Sequence, residues 1–359
     1  MIYNNLIEHK KIWSQLNEMV KNKKLPHAML FHGSEGSGKE GHAIELAALL
    51  NNHQNQNNLI KIRKFQHPNI NLIVPMPREK SINKNADALK ALSDKSLENL
   101  IEMKKNKMIN PYKNITFDKT STILINSIRD IKKDLHFSVD GGAKVHLIFN
   151  AEKLCYPKNE AGNALLKILE EPPKNTFFIL VTDHKEKMLD TILSRCCDFY
   201  FPKVTKSKID TYFKNDTLNN ELDLLMAITN HSIKQIQNII ESDIEIQSYI
   251  DDSKNLISKL MQDSDYDSNV KKIEKLFKSN KIHFKIFIKI LIIILNDLEK
   301  IKNKHFDCLI LTDVKKTKFV DYNKCIDLIE QTYHQLNRNA NPSMSIFSMM
   351  IKMKKILSN

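Results

Sequence analysis

The longest ordered stretch of hydrophobic patterning runs from Lys144 to Cys196. Val145 to Phe149 is a short apolar run that predicts a strand. Between Asn159 and Glu170, the residues Leu165, Leu166, Ile168 and Leu169 recur at spacings of three and four, which predicts a helix with one buried face. Pro172 lacks a backbone donor and Pro173 disfavours helix at the residue before it, so this helix stops near Glu171. Phe177 to Val181 is apolar on both faces, as in a central parallel strand covered by helices, and its end, Thr182-Asp183, therefore points into a site.

Upstream, residues 6–23 predict a helix with Trp13, Leu16 and Val20 on one face. Leu25 to His32 predicts a strand that runs into Gly33-Ser34-Glu35-Gly36-Ser37-Gly38-Lys39-Glu40, followed by a helix carrying Ala43, Ile44, Ala47, Ala48 and Leu50. Asn51 to Asn58 is polar and low in complexity, which predicts a solvated loop. Arg78 to Tyr112 is rich in Lys and Asn and reads as an insertion with a helix from Asp87 to Lys104 and a solvated charged face. Ile123, Ile125, Ile128, Ile131 and Leu135 mark an amphipathic helix that ends before Gly141-Gly142. Beyond Lys203 the pattern is helical: Ser207 to Phe213, Leu222 to Thr229, Ser232 to Ile240, Ser253 to Leu260, Val270 to Phe277, Phe284 to Lys302, Asp321 to Asn337 and Met344 to Ile356.

A length of 359 residues accommodates two or three domains with cores of their own. The formal net charge of +13 favours acidic partners such as nucleic acid. Lys and Asn are spread through the whole chain, however, so charge alone assigns no DNA contact. Cys155, Cys196, Cys197, Cys308 and Cys325 have no metal-binding spacing, and the odd number points to a reduced, cytoplasmic compartment. His53 and His67 read as loop residues rather than ligands, and no metal site is predicted. Met1 to Asn5 has no apolar signal region, and the apolar run in Phe284 to Leu295 is broken by Lys285 and Lys289, far short of the roughly 20 residues that span a bilayer.

The strand, glycine loop and helix around Gly33 form the context of a phosphate-binding P-loop. Gly33, Gly36 and Gly38 let backbone N–H groups turn inward around phosphate oxygens, and Lys39 would reach the outer phosphates. The loop departs from its pattern at Glu40, where a Ser or Thr hydroxyl would hold magnesium. A carboxylate there adds repulsion against phosphate.

Ala161 to Pro173, Phe177 to Thr182 and Ile192-Leu193-Ser194-Arg195-Cys196, taken in order, closely resemble the clamp-loader branch of the AAA+ ATPases. His67 to Val74 is similar to a strand of that family, and Leu336 to Pro342 to its closing segment. The resemblance implies an α/β fold: an AAA+ P-loop core with a parallel sheet and flanking helices over 1–203, including the insertion at 78–112. An all-α lid over 204–250 and an all-α oligomerisation, or collar, domain over 251–359 would follow. The four zinc-binding cysteines that many relatives carry near Asn51 to Asn58 are missing.

Aligned to the family, Phe149 and Asn150 stand where a working site carries the magnesium-binding Asp and the basic Glu, while Glu152 comes two residues late and reads as a helix cap. The resemblance thus implies a non-hydrolysing subunit with no cofactor of its own. It makes Gly33, Gly36, Gly38 and Lys39 a vestigial nucleotide site, Thr182 a sensor-like residue, and Ser194-Arg195-Cys196 a motif whose arginine serves the neighbour's ATP in trans as an arginine finger. Cys196 and Cys197 then read as packing residues. Implied partners are the gamma/tau and delta subunits of a loader and, through the assembly, a sliding clamp and primed DNA, with no membrane. A gamma-like active ATPase, a DNA-binding protein that keeps only the fold's shell, and residual nucleotide binding at Lys39 stay open.

Overall fold

A computed structural model describes the chain except for residues 53, 136–140, 215–220, 243, 263–266, 306–308, 312–319, 339 and 359. His53, Cys308 and Asn339 fall outside the described residues. The chain divides into two compact units, Met1–Lys214 with Ser232–Lys234, and Asn215–His231 with Gln235–Asn359.

In the first unit the elements are α1 (Lys10–Lys21), β1 (Ala28–Gly33), α2 (Lys39–Leu50), α3 (Gln56–Arg63), β2 (Ile70–Ile73), α4 (Asp94–Ile109), α5 (Ile125–Asp134), β3 (Lys144–Phe149), α6 (Glu160–Glu170), β4 (Thr176–Thr182), α7 (Asp190–Leu193), β5 (Cys197–Phe201) and α8 (Lys206–Tyr212). The strands form one sheet in the order β2-β3-β4-β1-β5, and every pairing is parallel. β4 lies between β3 and β1, with Leu180 opposite Ile148 on one side and Leu30 on the other. Strands buried on both faces favour apolar residues, which is why β1 and β4 read as continuous apolar runs, and β3 as one that carries a single buried histidine, His146. Leu165, Ile168 and Leu169 of α6 pack with Ile128 and Ile131 of α5 against Ala28, Leu30, Phe178 and Leu180 of the sheet. The α/β fold with a parallel P-loop sheet and a helical C-terminal part is therefore as expected.

Two local expectations change. The polar stretch Asn51 to Asn58 is not all loop: the Asn55 side chain accepts from the N–H groups of Asn57 and Asn58 and starts α3 at Gln56. The helix expected over Asp87 to Lys104 is a short 3₁₀ turn at Ala88–Ala91 followed by α4, which Ser93 caps and which continues to Ile109. Asp94, Lys95, Glu98, Glu102 and Lys105 of α4 are exposed, as a solvated charged face requires, but Lys107 in its last turn is 1 % exposed.

The second unit is helical, with α9 (Leu222–Thr229), most of α10 (Ile233–Glu241), α11 (Ile246–Met261), α12 (Asp267–Ser279), α13 (Lys281–Lys302), α14 (Tyr322–Asn337) and α15 (Pro342–Leu357). Asn280, Asp321 and Asn341 cap α13, α14 and α15, and Pro342 fills the first turn of α15, where its missing donor costs nothing. The apolar run of α13 is the core of this unit, with Ile290, Leu291 and Leu295 fully buried. Among the described residues no helix is long and apolar enough to cross a membrane.

Candidate functional site

The glycine loop leaves β1, between β4 and the edge strand β5, and enters α2. Gly33 has φ +129°, and a Cβ on it would lie 2.1 Å from the Phe201 carbonyl oxygen, so only glycine passes the end of β5. Gly38, at φ +87°, is the left-handed residue that opens α2. Two buried histidines fix this turn from below. His9 Nε2 bonds the Ser37 carbonyl at 2.9 Å, and His42 Nδ1 bonds that of Gly38 at 2.9 Å. His42 Nε2 accepts the backbone N–H of His9 at 3.3 Å, so the ring is neutral with its hydrogen on Nδ1. Burial chiefly depresses the pKa of His42, to about 4.

Lys39 is 4 % exposed, and its ammonium turns inward. It meets the carbonyl oxygens of Gly33 at 3.2 Å and Ser34 at 2.5 Å, Ser37 Oγ at 3.3 Å and Asp183 Oδ1 at 2.6 Å. A lysine has three hydrogens to donate, and all of them are engaged by the chain itself. Thr182-Asp183, at the end of β4, does point into the site, together with Gly36, Gly38 and Asn150. The Thr182 hydroxyl is also committed: it donates to Glu152 Oε2 at 2.6 Å and accepts the His184 N–H at 2.9 Å. The expectation that Glu152 caps the following helix is thereby corrected. Glu152 sits in a 3₁₀ turn, Ala151–Leu154, that packs against β4, and its carboxylate is buried beside Thr182.

Glu40 is the departure that matters most. Its carboxylate forms an ion pair with Lys107, which α4 delivers from outside the loop. The Lys107 ammonium also donates to the carbonyls of Pro111 at 2.7 Å and Lys113 at 2.9 Å, and lies 5.7 Å from the centre of the Phe149 ring. Burial lowers the Lys107 pKa, and the Glu40 charge opposes that shift. Nothing in the sequence singled out Lys107 among Lys104, Lys105 and Lys107; the signal available was the acid at Glu40, which needs a cation once it is enclosed. A P-loop fold implies magnesium and a nucleotide, but these side chains do not fit that pair. The hydroxyl ligand is a carboxylate already neutralised, the carboxylate ligand is the Phe149 ring, and the loop lysine has no free donor.

Ser194, Arg195 and Cys196 do not line this pocket; they stand at the end of α7. Arg195 Nη1 donates to the Thr191 carbonyl at 2.8 Å, and Nη2 pairs with Glu170 Oε1, at the end of α6, at 2.6 Å. The guanidinium keeps about a third of its side chain exposed. Ser194 Oγ is exposed and donates to Thr191. Cys196 packs against the core and burial pushes its thiol up to about 12. Cys197 is exposed, because it begins β5 at the sheet edge, so the packing role expected of both cysteines holds for Cys196 alone.

Residues 8–205 match the sequence profile of the family described as DNA polymerase III, delta subunit, more than half of the chain. The chain belongs to the DNA polymerase III delta subunit family. Within this family's wider kin, it is 29 % identical to DNA polymerase III subunit tau of Bacillus subtilis over 58 % of this chain and 30 % of that protein. It is 31 % identical to subunit delta' of Buchnera aphidicola from Schizaphis graminum, over 60 % of this chain and 56 % of the relative. Subunit delta' of Bacillus subtilis is 25 % identical over 63 % and 60 %. The match thus spans less than two thirds of each relative's length. The resemblance to clamp-loader subunits seen in the sequence holds at the level of the family, and the relatives carry both delta' and tau names.

Proposed function

We propose that the chain is a non-hydrolysing, delta prime-like subunit of a clamp loader. It would scaffold the assembly and complete a neighbouring subunit's ATP site with Arg195. Gamma/tau and delta subunits would be its partners in a cytoplasmic hetero-oligomer that opens a sliding clamp and places it on primed DNA. Its helical lid and collar would serve assembly. The observation that carries this reading is the committed state of the loop: Lys39 is bound to its own backbone and Asp183, while Glu40 and Phe149 replace the magnesium ligands. Arg195 supports it from the other side. A guanidinium is planar and always charged, suits phosphate oxygens, and here is held outside its own pocket by the Thr191 carbonyl and by a half-exposed carboxylate, Glu170, that a phosphate can displace.

Reconstitution with gamma/tau and delta subunits from the same source tests the proposal. The chain alone should not hydrolyse ATP, and Arg195→Ala should leave assembly intact while lowering DNA-stimulated hydrolysis at the one site that Arg195 completes by about 10³-fold or more, and so lowering the ATPase of the complex. Unchanged hydrolysis by the variant complex would refute the finger role. The intact Gly33, Gly36, Gly38 and Lys39 favour a second reading, a gamma-like loader ATPase. Magnesium-dependent turnover by the chain alone, abolished by Lys39→Ala, would establish that reading instead.

A further inference from the structure

The Glu40 carboxylate and the Phe149 ring occupy the two positions that would hold magnesium, and a single side chain reaches both. Lys107 comes from the last turn of α4, in the stretch the sequence marks as an insertion. It is 1 % exposed, and its three hydrogens meet three acceptors: the Glu40 carboxylate and the Pro111 and Lys113 carbonyls. The ring face of Phe149 attracts a cation where the family's carboxylate would have done so.

The segment that carries Lys107 is also fastened in place. Tyr3 Oη donates to the Lys107 carbonyl at 3.1 Å, and Tyr112 Oη accepts the Ile7 N–H at 3.0 Å. The N–H groups of Ile2 and Tyr3 are held by the Glu45 carboxylate of α2 at 2.8 Å each. Leu6 and Pro111 close on Gly41, where a Cβ would come within 3 Å of both. The ammonium is therefore part of a built wall and not a mobile surface lysine.

We infer that Lys107 is a built-in cation that takes the place of magnesium at the glycine loop, neutralising Glu40 and holding the loop in its folded form with neither metal nor nucleotide. The chain's loop is thus independent of divalent cation, and Lys107 and Glu40 act as one unit. Removing either partner strands the other's charge in an enclosed site, which is more damaging than removing both. The inference deepens the proposed function. Its test reads the isolated chain, whereas the finger role is read in the assembly, so the two fail separately.

The experiment is a double-mutant cycle on the full chain, with thermal and urea unfolding of Lys107→Met, Glu40→Thr and the double variant. Each is measured with EDTA, with magnesium, and with magnesium plus ADP. Each single variant should lose stability, and the double variant should recover part of it, with a coupling of at least about tenfold in the folding equilibrium. Wild-type Tm should be the same in EDTA, magnesium and magnesium plus ADP. Additive single effects would overturn the inference, as would a wild-type Tm raised by magnesium or by magnesium with ADP. If Lys107→Met does not fold while the double variant does, the coupling is shown directly. If neither folds, the wild-type comparison across the three conditions decides.

Discussion

At the scale of single residues, the buried histidines make the chain acid-sensitive in a defined direction. His146 lies in β3, stacked on Phe178 with ring centres 5.0 Å apart, and neither ring nitrogen makes a hydrogen bond. Burial first, then the nearby Lys144 charge, lowers its pKa from 6.5 to about 3. The unfolded chain takes up a proton below pH 6.5 and the folded chain does not until about pH 3, so stability is full above 6.5 and falls as pH drops through that window. The slope approaches about 1.4 kcal/mol per pH unit per such group, and His42 acts in the same sense down to about 4. His146→Phe should therefore gain more stability over wild type at pH 5.5 than at pH 8, measured by urea unfolding; an equal effect at both would show that His146 protonates freely in the fold. Arg195 is the opposite case. Its pair with Glu170 is half open to water, and such pairs contribute at most about 1 kcal/mol. Arg195→Ala should leave the Tm of the isolated chain nearly unchanged, and a large drop would mean that the arginine is a structural anchor.

At the scale of elements, α6 states what a helix face contributes. Leu165 is fully buried against the sheet, whereas Asn163, two residues earlier, is exposed. Leu165→Ala should cost about 2–5 kcal/mol and Asn163→Ala almost nothing in denaturant unfolding; equal costs would place the wrong face inward. This face was legible because burial on one side imposes a period near 3.6, just as burial on both sides made Ala28 to Phe31 of β1 and Phe177 to Val181 of β4 continuous apolar runs, whereas β3 buries His146 among its apolar residues. The elements that escaped reading have other causes. In β5 Cys197, Asp198 and Tyr200 are exposed at the sheet edge, so its sequence carries no apolar run. α3 begins on an asparagine cap inside a polar stretch, and composition hid the cap. For the site, the loop glycines, Lys39, Thr182 and Asp183 were legible because one strand end and one turn gather them. Lys107 was not, since its partnership with Glu40 spans 67 residues and rests on a tertiary contact.

At the scale of the whole molecule, the two units have separate cores of different construction. The first rests on a sheet covered by α5 and α6, and the second on α13, with Tyr322 and Cys325 of α14 and Met350 and Met353 of α15 also fully buried. A chain of this size with two cores need not unfold in one step, and two-state behaviour is expected of single small domains. Calorimetry of the full chain should therefore show more than one transition. Leu165→Ala should lower one of them, and Leu295→Ala, at a fully buried position of α13, should lower another by a comparable amount. If both substitutions moved a single transition together, the units would fold as one cooperative body. The loop site would then be tied to the helical unit's stability. With separate transitions, the Lys107–Glu40 cycle reports on the first unit alone, and a destabilising substitution in α13–α15 leaves the transition of the unit that carries Arg195 unchanged.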